Sequence, residues 1–511
     1  MILGHQYKII KTFEREGRGK TYLVNDRTAL DVPMVVKALQ ADPGAHNDAF
    51  VRRFGHLKHL QHPNLAVLFD LGRTSVTREH FYTREYVDGQ DIVSATQKSD
   101  FSQVAILIDQ VCRVLQFLHG CGCLHGNLKP SNILVAGSEG SGRPGTVKIL
   151  DFSMDEPGRS IRRSQGNTRP YRAPESSTRR VTPRTDLYAL GAVLHEILYG
   201  AVPGEKKSKA GAGGKKRARI KGIPADISDL LDQLLAPSPS DRPASAAQIQ
   251  RKLDAMSGLT PHTSIPSHSF HFVSPILGRD NELARLKGMA RDLVTQGGTL
   301  TPLVLVTGEP GSGKSRLLDE FRLDCQGAGL PVLSVQCAEE RSSEVGVINR
   351  LFEQVQAHLG EQQTDIPRIN ALAPTRGDRF VGRAMDFLIE AARRINPVLI
   401  LDDCDIADDA SSEFLATLIA HLRFRYFEFG QGSERTPFLL VLSGRESQNF
   451  PRRTELLSIP HYEICPERWS VEEVGAFVQK ALNLREAPGA FVEAIRGASK
   501  GVPRYVGEVL Q

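Results

Sequence analysis

The sequence is poor in the features that mark membrane and disulfide-built proteins. No apolar run approaches the roughly 18–20 residues of a bilayer-crossing helix. The opening residues, MILGHQYKII, contain no secretory apolar core with a small-residue cleavage site. Seven cysteines at irregular spacings do not make a disulfide framework. Cys121 and Cys123 stand too close for a C-x-x-C pair, and no second pair completes a metal site. Internal repeats are also missing. These absences lead to the expectation of a soluble, reduced, cytoplasmic protein without a membrane partner. Apolar residues at 40% and charged residues at 24% are ordinary for a globular chain, so disorder is not the main theme. A length of 511 residues leaves room for two to four domains.

The net charge of +5 hides an asymmetry. Residues 1–256 hold 37 Lys+Arg against 26 Asp+Glu, a net +11, while residues 257–511 hold 27 against 33, a net −6. A Ser-, Pro- and His-rich stretch, 257–275, separates the halves and lacks helical or strand periodicity. A Gly-rich basic stretch, 205–219, reads as a loop. The first half opens with short β-like runs at 7–12, 21–24 and 34–39. Helical patterns such as 104–119 and 186–198 follow. In the second half, apolar runs at 303–308, 332–337, 398–403 and 438–444 alternate with amphipathic helices. That alternation predicts buried parallel strands in an α/β sheet.

Residues Gly308, Glu309, Pro310, Gly311, Ser312, Gly313, Lys314 and Ser315 match G-x-x-x-x-G-K-[ST] in full, between an apolar strand and a helical run. Glycines let backbone N–H groups curl around phosphate oxygens, and the following helix N-terminus adds partial positive charge. Lys314 is placed to reach the β/γ-phosphates and Ser315 to coordinate Mg²⁺. Asp402, at the end of VLILDD, suits the second metal-holding position, and Asp403 suits orienting or deprotonating the attacking water.

ILGRDNEL (276–283), GEPGSGKSRLL, LDDCDIADD (401–409), LSGRE (442–446) and GVPRYVGEVL (501–510) together resemble the signal-transduction ATPases with numerous domains, an AAA-like group. The resemblance covers about 276–511. It implies that Gly278 and Arg279 lie near adenine, that Arg445 fills a sensor position, and that Pro503 of the G-x-P motif contacts nucleotide near a helical lid. It also implies slow, switch-like hydrolysis. Relatives usually carry a longer C-terminal sensor than this sequence shows.

The first half holds, in order, fragments of the protein-kinase signature: VVKAL with Lys37, HPNL (62–65), REYVDG (84–89), HGNLKPSN (125–132), ILDFS (149–153), YRAPE (171–175), DLYALG (186–191) and SDRP (240–243). It resembles a bacterial-type Ser/Thr kinase. The departures are chemical. Asn127 stands at the catalytic Asp position, and an amide cannot accept the substrate proton; general-base loss typically costs ~10²–10⁴ in rate. Glu14 and Glu16 occupy glycine slots of the phosphate-covering loop, leaving Gly19. A like-charge repulsion there is roughly 3 kcal/mol at about 5 Å and an effective dielectric of about 20. Arg53 occupies the slot that should offer Lys37 a glutamate, so repulsion of Lys37 is expected. Arg84 sits just before the hinge, and Ser153 replaces a metal-loop glycine. Lys37 and Lys129 remain as phosphate-binding candidates, and Asn132 and Asp151 as Mg²⁺ candidates.

Basic residues crowd 158–184, with eight Arg, and 205–219, with seven Lys/Arg. Without nucleic-acid motifs or interleaved aromatics they read as solvated loops or a dock for an acidic partner, the second half included, rather than a nucleic-acid surface. Ser164, Thr168, Ser176 and Ser177 are phosphorylation candidates there.

The expected architecture is multidomain. A bilobal α+β kinase-like domain, expected to be a pseudokinase from its substitutions, spans 1–256, and a linker spans 257–275. An α/β P-loop NTPase core with a parallel sheet spans 276–455, and a helical lid spans 456–511. The leading functional expectation is an ATP- and Mg²⁺-binding signalling protein whose degraded kinase-like module is coupled to an ATPase switch. A slow Ser/Thr kinase regulated by the ATPase and a non-catalytic ATP-binding scaffold are the alternatives. Unknown protein partners, intramolecular docking of the two modules and a nucleotide-dependent oligomer are the partner expectations.

Overall fold

The computed structural model describes residues 7–13, 20–26, 32–39, 47–74, 79–137, 145–154, 169–177, 181–203, 219–257, 276–337, 346–359, 378–407, 409–428, 435–445, 453–482, 484 and 486–510. The acidic loop with Glu14, Glu16 and Gly19, the residues Ser164 and Thr168, most of 205–219 and the linker 258–275 lie outside them.

Strands β1 (Tyr7–Phe13), β2 (Thr21–Asp26), β3 (Val32–Ala38), β4 (Leu68–Arg73) and β5 (His80–Glu85) form an antiparallel sheet in the order β1-β2-β3-β5-β4. Alternation drives it: Tyr22 and Val24 of β2 turn inward with Met34, Val36 and Ala38 of β3. Between β3 and β4 the helix Asn47–Lys58 buries Val51, Phe54 and Leu57, spaced three apart along one face.

A helical lobe follows, built on the helices Phe101–Gly120, Pro183–Tyr199, Ile227–Leu234 and Ala246–Ser257. A small sheet of β6 (Gln90–Asp91), β7 (Ile133–Ala136) and β8 (Thr146–Ile149) completes it. Asp100 and Gln103 close a capping box at the start of Phe101–Gly120. By length and composition that helix alone, among the described residues, is apolar enough to cross a membrane. Here its Val104, Ile108, Val111, Leu115 and Leu118 fill the lobe's core.

The second half is an α/β unit. Strands β9 (Leu303–Thr307), β10 (Val332–Gln336), β11 (Val398–Asp402), β12 (Leu439–Gly444) and β13 (His461–Ile464) pair in parallel in the order β10-β11-β12-β9-β13. Residues of β9, β11 and β12 are buried throughout, as expected when helices cover both faces. The fifth strand falls inside 456–511, so the sheet extends past the expected core boundary at 455. The lid helices Val471–Ala481, Gly489–Ser499 and Pro503–Leu510 follow it. The chain is thus a bilobal α+β kinase fold followed by an α/β P-loop fold.

The helix that opens at Lys314, Lys314–Ala328, has two buried faces. Leu317, Leu318, Phe321 and Cys325 pack under the parallel sheet. Leu323, fully buried, joins the apolar cluster that contains Val51, Phe54 and Leu57 of the kinase half. The two helices approach closely at glycines: a Cβ on Gly327 would lie 2.3 Å from Val51 Cγ2, and one on Gly55 would lie 3.2 Å from Glu320 Oε1.

Two candidate nucleotide sites

Loop 308–313 leaves the end of β9 and runs into the helix Lys314–Ala328. Gly308, Gly311 and Gly313 have φ of 150°, 83° and 95°, backbone that side-chain-bearing residues rarely adopt. Lys314, only 7% exposed, donates from Nζ to Gly308 O at 2.9 Å and Glu309 O at 3.2 Å. The ammonium is therefore held at the mouth of the loop by neutral carbonyls. Ser312 Oγ is buried with no hydrogen-bond partner among the described residues.

Asp402 ends β11. Its Oδ1 accepts from Ser443 Oγ of β12 and from Asp403 N at 3.1 Å. Ser443 was not singled out from the sequence, although it lies within LSGRE. Asp403 takes a left-handed backbone, φ 55°. Burial, with Asp402 and Asp405 nearby, raises its carboxyl above the ordinary range, which favours proton uptake. An open cleft of about 550 Å³ has both Ser315 and Asp402 in its lining. The Asp402 carboxylate and Ser315 hydroxyl oxygens are hard donors of the kind Mg²⁺ takes, and the loop is built for a polyphosphate, so residues and group fit.

The lid closes on this loop. Arg504 N, one residue after Pro503, donates to Gly311 O at 3.2 Å, and Arg279, buried, donates to Gly278 O at 2.9 Å and to Glu467 O. A Cβ on Gly278 would collide with Glu473. Trp469, the single tryptophan, donates from its backbone N to Gly501 O at 2.7 Å. Glu309 is exposed and accepts two bonds from Arg468 at 2.6 and 2.9 Å. Arg445, also exposed, pairs with Asp405 Oδ2 at 3.5 Å.

The kinase half assembles a different centre. Lys37 Nζ lies 3.0 Å from Asp151 Oδ2, and Arg84 Nε donates to Asp151 Oδ1 at 2.9 Å. Tyr82 Oη adds a 3.2 Å bond to the same oxygen. Burial alone would push the Asp151 carboxyl up, but the Lys37 and Arg84 cations outweigh it and hold it well below the ordinary range. Each carboxylate oxygen thus already meets a cation, and a metal at Asp151 would be held against two positive charges in place. Asn132 Nδ2 donates to Asn127 O at 2.8 Å, so its Oδ1 is the atom left to take a metal.

Arg53 does not face Lys37 as an unpaired repelling charge. It donates to Leu124 O at 2.9 Å and Ser153 O at 3.4 Å, tying its helix to both loops of the centre. Asn127 Nδ2 donates to Asp151 O at 3.0 Å. His125 is fixed as the Nε2–H tautomer: Nδ1 accepts from Asn127 N, so Nε2 donates to Leu150 O. Asp186 accepts from the backbone N–H of His125 and Gly126, anchoring the loop. Lys129 flanks the turn Pro130–Asn132. Ser176 is buried, which removes it from the accessible modification candidates.

Known proteins divide the chain in the same way. Residues 15–253 match the protein kinase domain, and residues 275–428 match the AAA ATPase domain. The chain carries a protein kinase domain joined to an AAA ATPase domain. It is 29% identical over 280 residues to the serine/threonine-protein kinase pkn3 of Myxococcus xanthus, covering 50% of each chain. It is 27% identical over 275 residues to the serine/threonine-protein kinase PknB of Mycobacterium tuberculosis, covering 49% of this chain and 43% of that one. The crystal structure of the Mycobacterium tuberculosis PknI kinase domain aligns with a TM-score of 0.39 and 22% identity, covering 50% of this chain and 98% of that one. The chain spans about half the length of the curated relatives it matches.

Proposed function

We propose that this protein is an ATP-binding signalling protein in which the AAA domain is the nucleotide site and the kinase domain is a pseudokinase that regulates or recruits. The observation that carries this reading is the contrast between the two centres. Loop 308–315 holds Lys314 at its mouth through Gly308 O, and the Ser312 hydroxyl within it is buried without a partner among the described residues. At the kinase centre Asp151 is already neutralised by Lys37 and Arg84. Mg²⁺, when bound, supplies neutralisation of developing charge on the β- and γ-phosphate oxygens. Ser315 and Asp402 would hold it. Asp403, with its raised carboxyl, would take a proton from water, and Arg445 stands at the sheet end as a sensor. Lys314→Ala should abolish high-affinity ATP binding measured by calorimetry. Unchanged affinity would move the nucleotide to the kinase domain and sink the reading.

A slow Ser/Thr kinase is the second reading. It is favoured by the retained Lys37, Asn132 and Asp151 and by the kinase names of the relatives. Transfer of radiolabelled phosphate to a generic protein substrate, lost in Lys37→Ala, would establish it over the first.

A further inference from the structure

The helix Lys314–Ala328 is shared by two functions that sit in different halves of the chain. Its N-terminus carries Lys314 and Ser315. Its outer face lies on the kinase helix Asn47–Lys58 and on β4. Arg322 pairs with Asp70 of β4 and with Asp319, while Lys58 reaches Asp319 Oδ1 at 3.0 Å. His59 Nε2 lies 3.1 Å from Asp319 Oδ2, and His80 Nε2 is 3.0 Å from Gly327 O. Leu323 is fully buried within this junction. The cleft that holds Ser315 and Asp402 is also lined by His59 of the kinase half. At the other end of the path, the helix Asn47–Lys58 holds the carbonyls of Leu124 and Ser153 through Arg53.

We propose that the kinase helix Asn47–Lys58 is the intramolecular partner of the P-loop helix, and that this contact couples nucleotide occupancy at Lys314–Ser315 to the loops around Asn127 and Asp151. The inference rests on the AAA domain being the nucleotide site. Docking fixes the helix whose N-terminus receives phosphate, so the docked form is the one prepared for nucleotide. Two packed helices transmit a shift as rigid bodies, because close-packed interiors do not absorb it. Reciprocity then requires that whatever nucleotide does to docking, docking does to nucleotide affinity by the same factor, typically 5–150-fold.

The test uses the full chain and Mg·ATPγS as the probe. Two variants open the junction from opposite sides, both outside loop 308–315: Asp70→Arg, which faces Arg322 with a like charge, and Gly327→Leu, at the far end of the P-loop helix, which collides with Val51. Circular dichroism and melting first establish that each is folded. In the wild type, Mg·ATPγS should slow hydrogen exchange in peptides covering 47–58 and 124–127 at least fivefold. Both variants should lose that response and bind the probe at least fivefold more weakly. Folded variants with Kd within twofold of wild type, or a wild type whose 47–58 peptides ignore the probe, overturn the coupling. Binding that Lys314→Ala abolishes but neither junction variant affects sinks the coupling alone. No binding at all in the wild type sinks the nucleotide-site reading, and the coupling with it.

Discussion

Arg84 Nε donates to Asp151 Oδ1 at 2.9 Å across 67 residues of sequence. With Lys37 on the other oxygen, this pair closes the kinase centre with its own charges. Lys37, Arg84 and Asp151 together carry a charge of +1, so the centre disfavours Mg²⁺ before any phosphate arrives.

Arg84→Met should open that centre. Asp151 keeps Lys37, so the stability loss is about 1–3 kcal/mol, below the full cost of an orphaned buried charge. In a Lys314→Ala background, calorimetry should then detect Mg²⁺-dependent ATP binding that the background alone lacks.

Asn127→Asp alone should leave phosphate transfer at the wild-type level. The new carboxylate loses the Nδ2 bond to Asp151 O and faces that carbonyl instead, at about 1–2 kcal/mol in thermal stability. Transfer from radiolabelled ATP that rises tenfold or more would identify Asn127 as the main lesion.

Ser312→Ala should not destabilise the ligand-free protein, because its hydroxyl is buried without a partner. Its melting temperature should hold or rise, while ATP affinity falls. A lower melting temperature with unchanged affinity would mean the hydroxyl serves the fold.

Arg242 is fully buried and grips Glu175 with two bonds, at 2.6 and 2.9 Å. Burial raises the Glu175 carboxyl, but the Arg242 bonds outweigh it and lower it. Arg242→Ala removes both of those bonds while the Thr185 hydroxyl keeps its own to Glu175 Oε1 at 2.9 Å, and denaturant unfolding should show a loss of about 3 kcal/mol.

His56 lies on the kinase helix at the junction. Burial first, then Arg316, Arg53, Lys480 and His59, lower its pKa to about 4. The unfolded or exposed imidazole titrates near about 6.5 and binds a proton before the packed one does. Stability therefore rises with pH across this window and is lost as pH falls from about 6.5 toward 4. His56→Gln should flatten that part of the melting-temperature profile.

Sequence alone placed much of the framework. The apolar runs at 303–308, 332–337, 398–403 and 438–444 match β9 to β12 within one residue, because a strand covered on both faces must be apolar along its length. Loop 308–315 was legible for a similar reason: its glycine conformations and its lysine act on one local stretch of backbone. The strand His461–Ile464 was not legible, since HYEI is short and largely polar, and only pairing to β9 makes it a strand. Through-space relations were out of reach as well. The pattern of Lys314–Ala328 shows apolar residues around much of the helix, but not that Leu323 would be buried by the other half of the chain. Nor can spacing show that Arg53 would find two carbonyls, or that Arg84 would occupy Asp151. Periodicity and motif spacing record what neighbouring residues impose on each other. Charge pairing and helix docking depend on which distant surfaces the fold brings within a few ångströms, and the tertiary structure decided those.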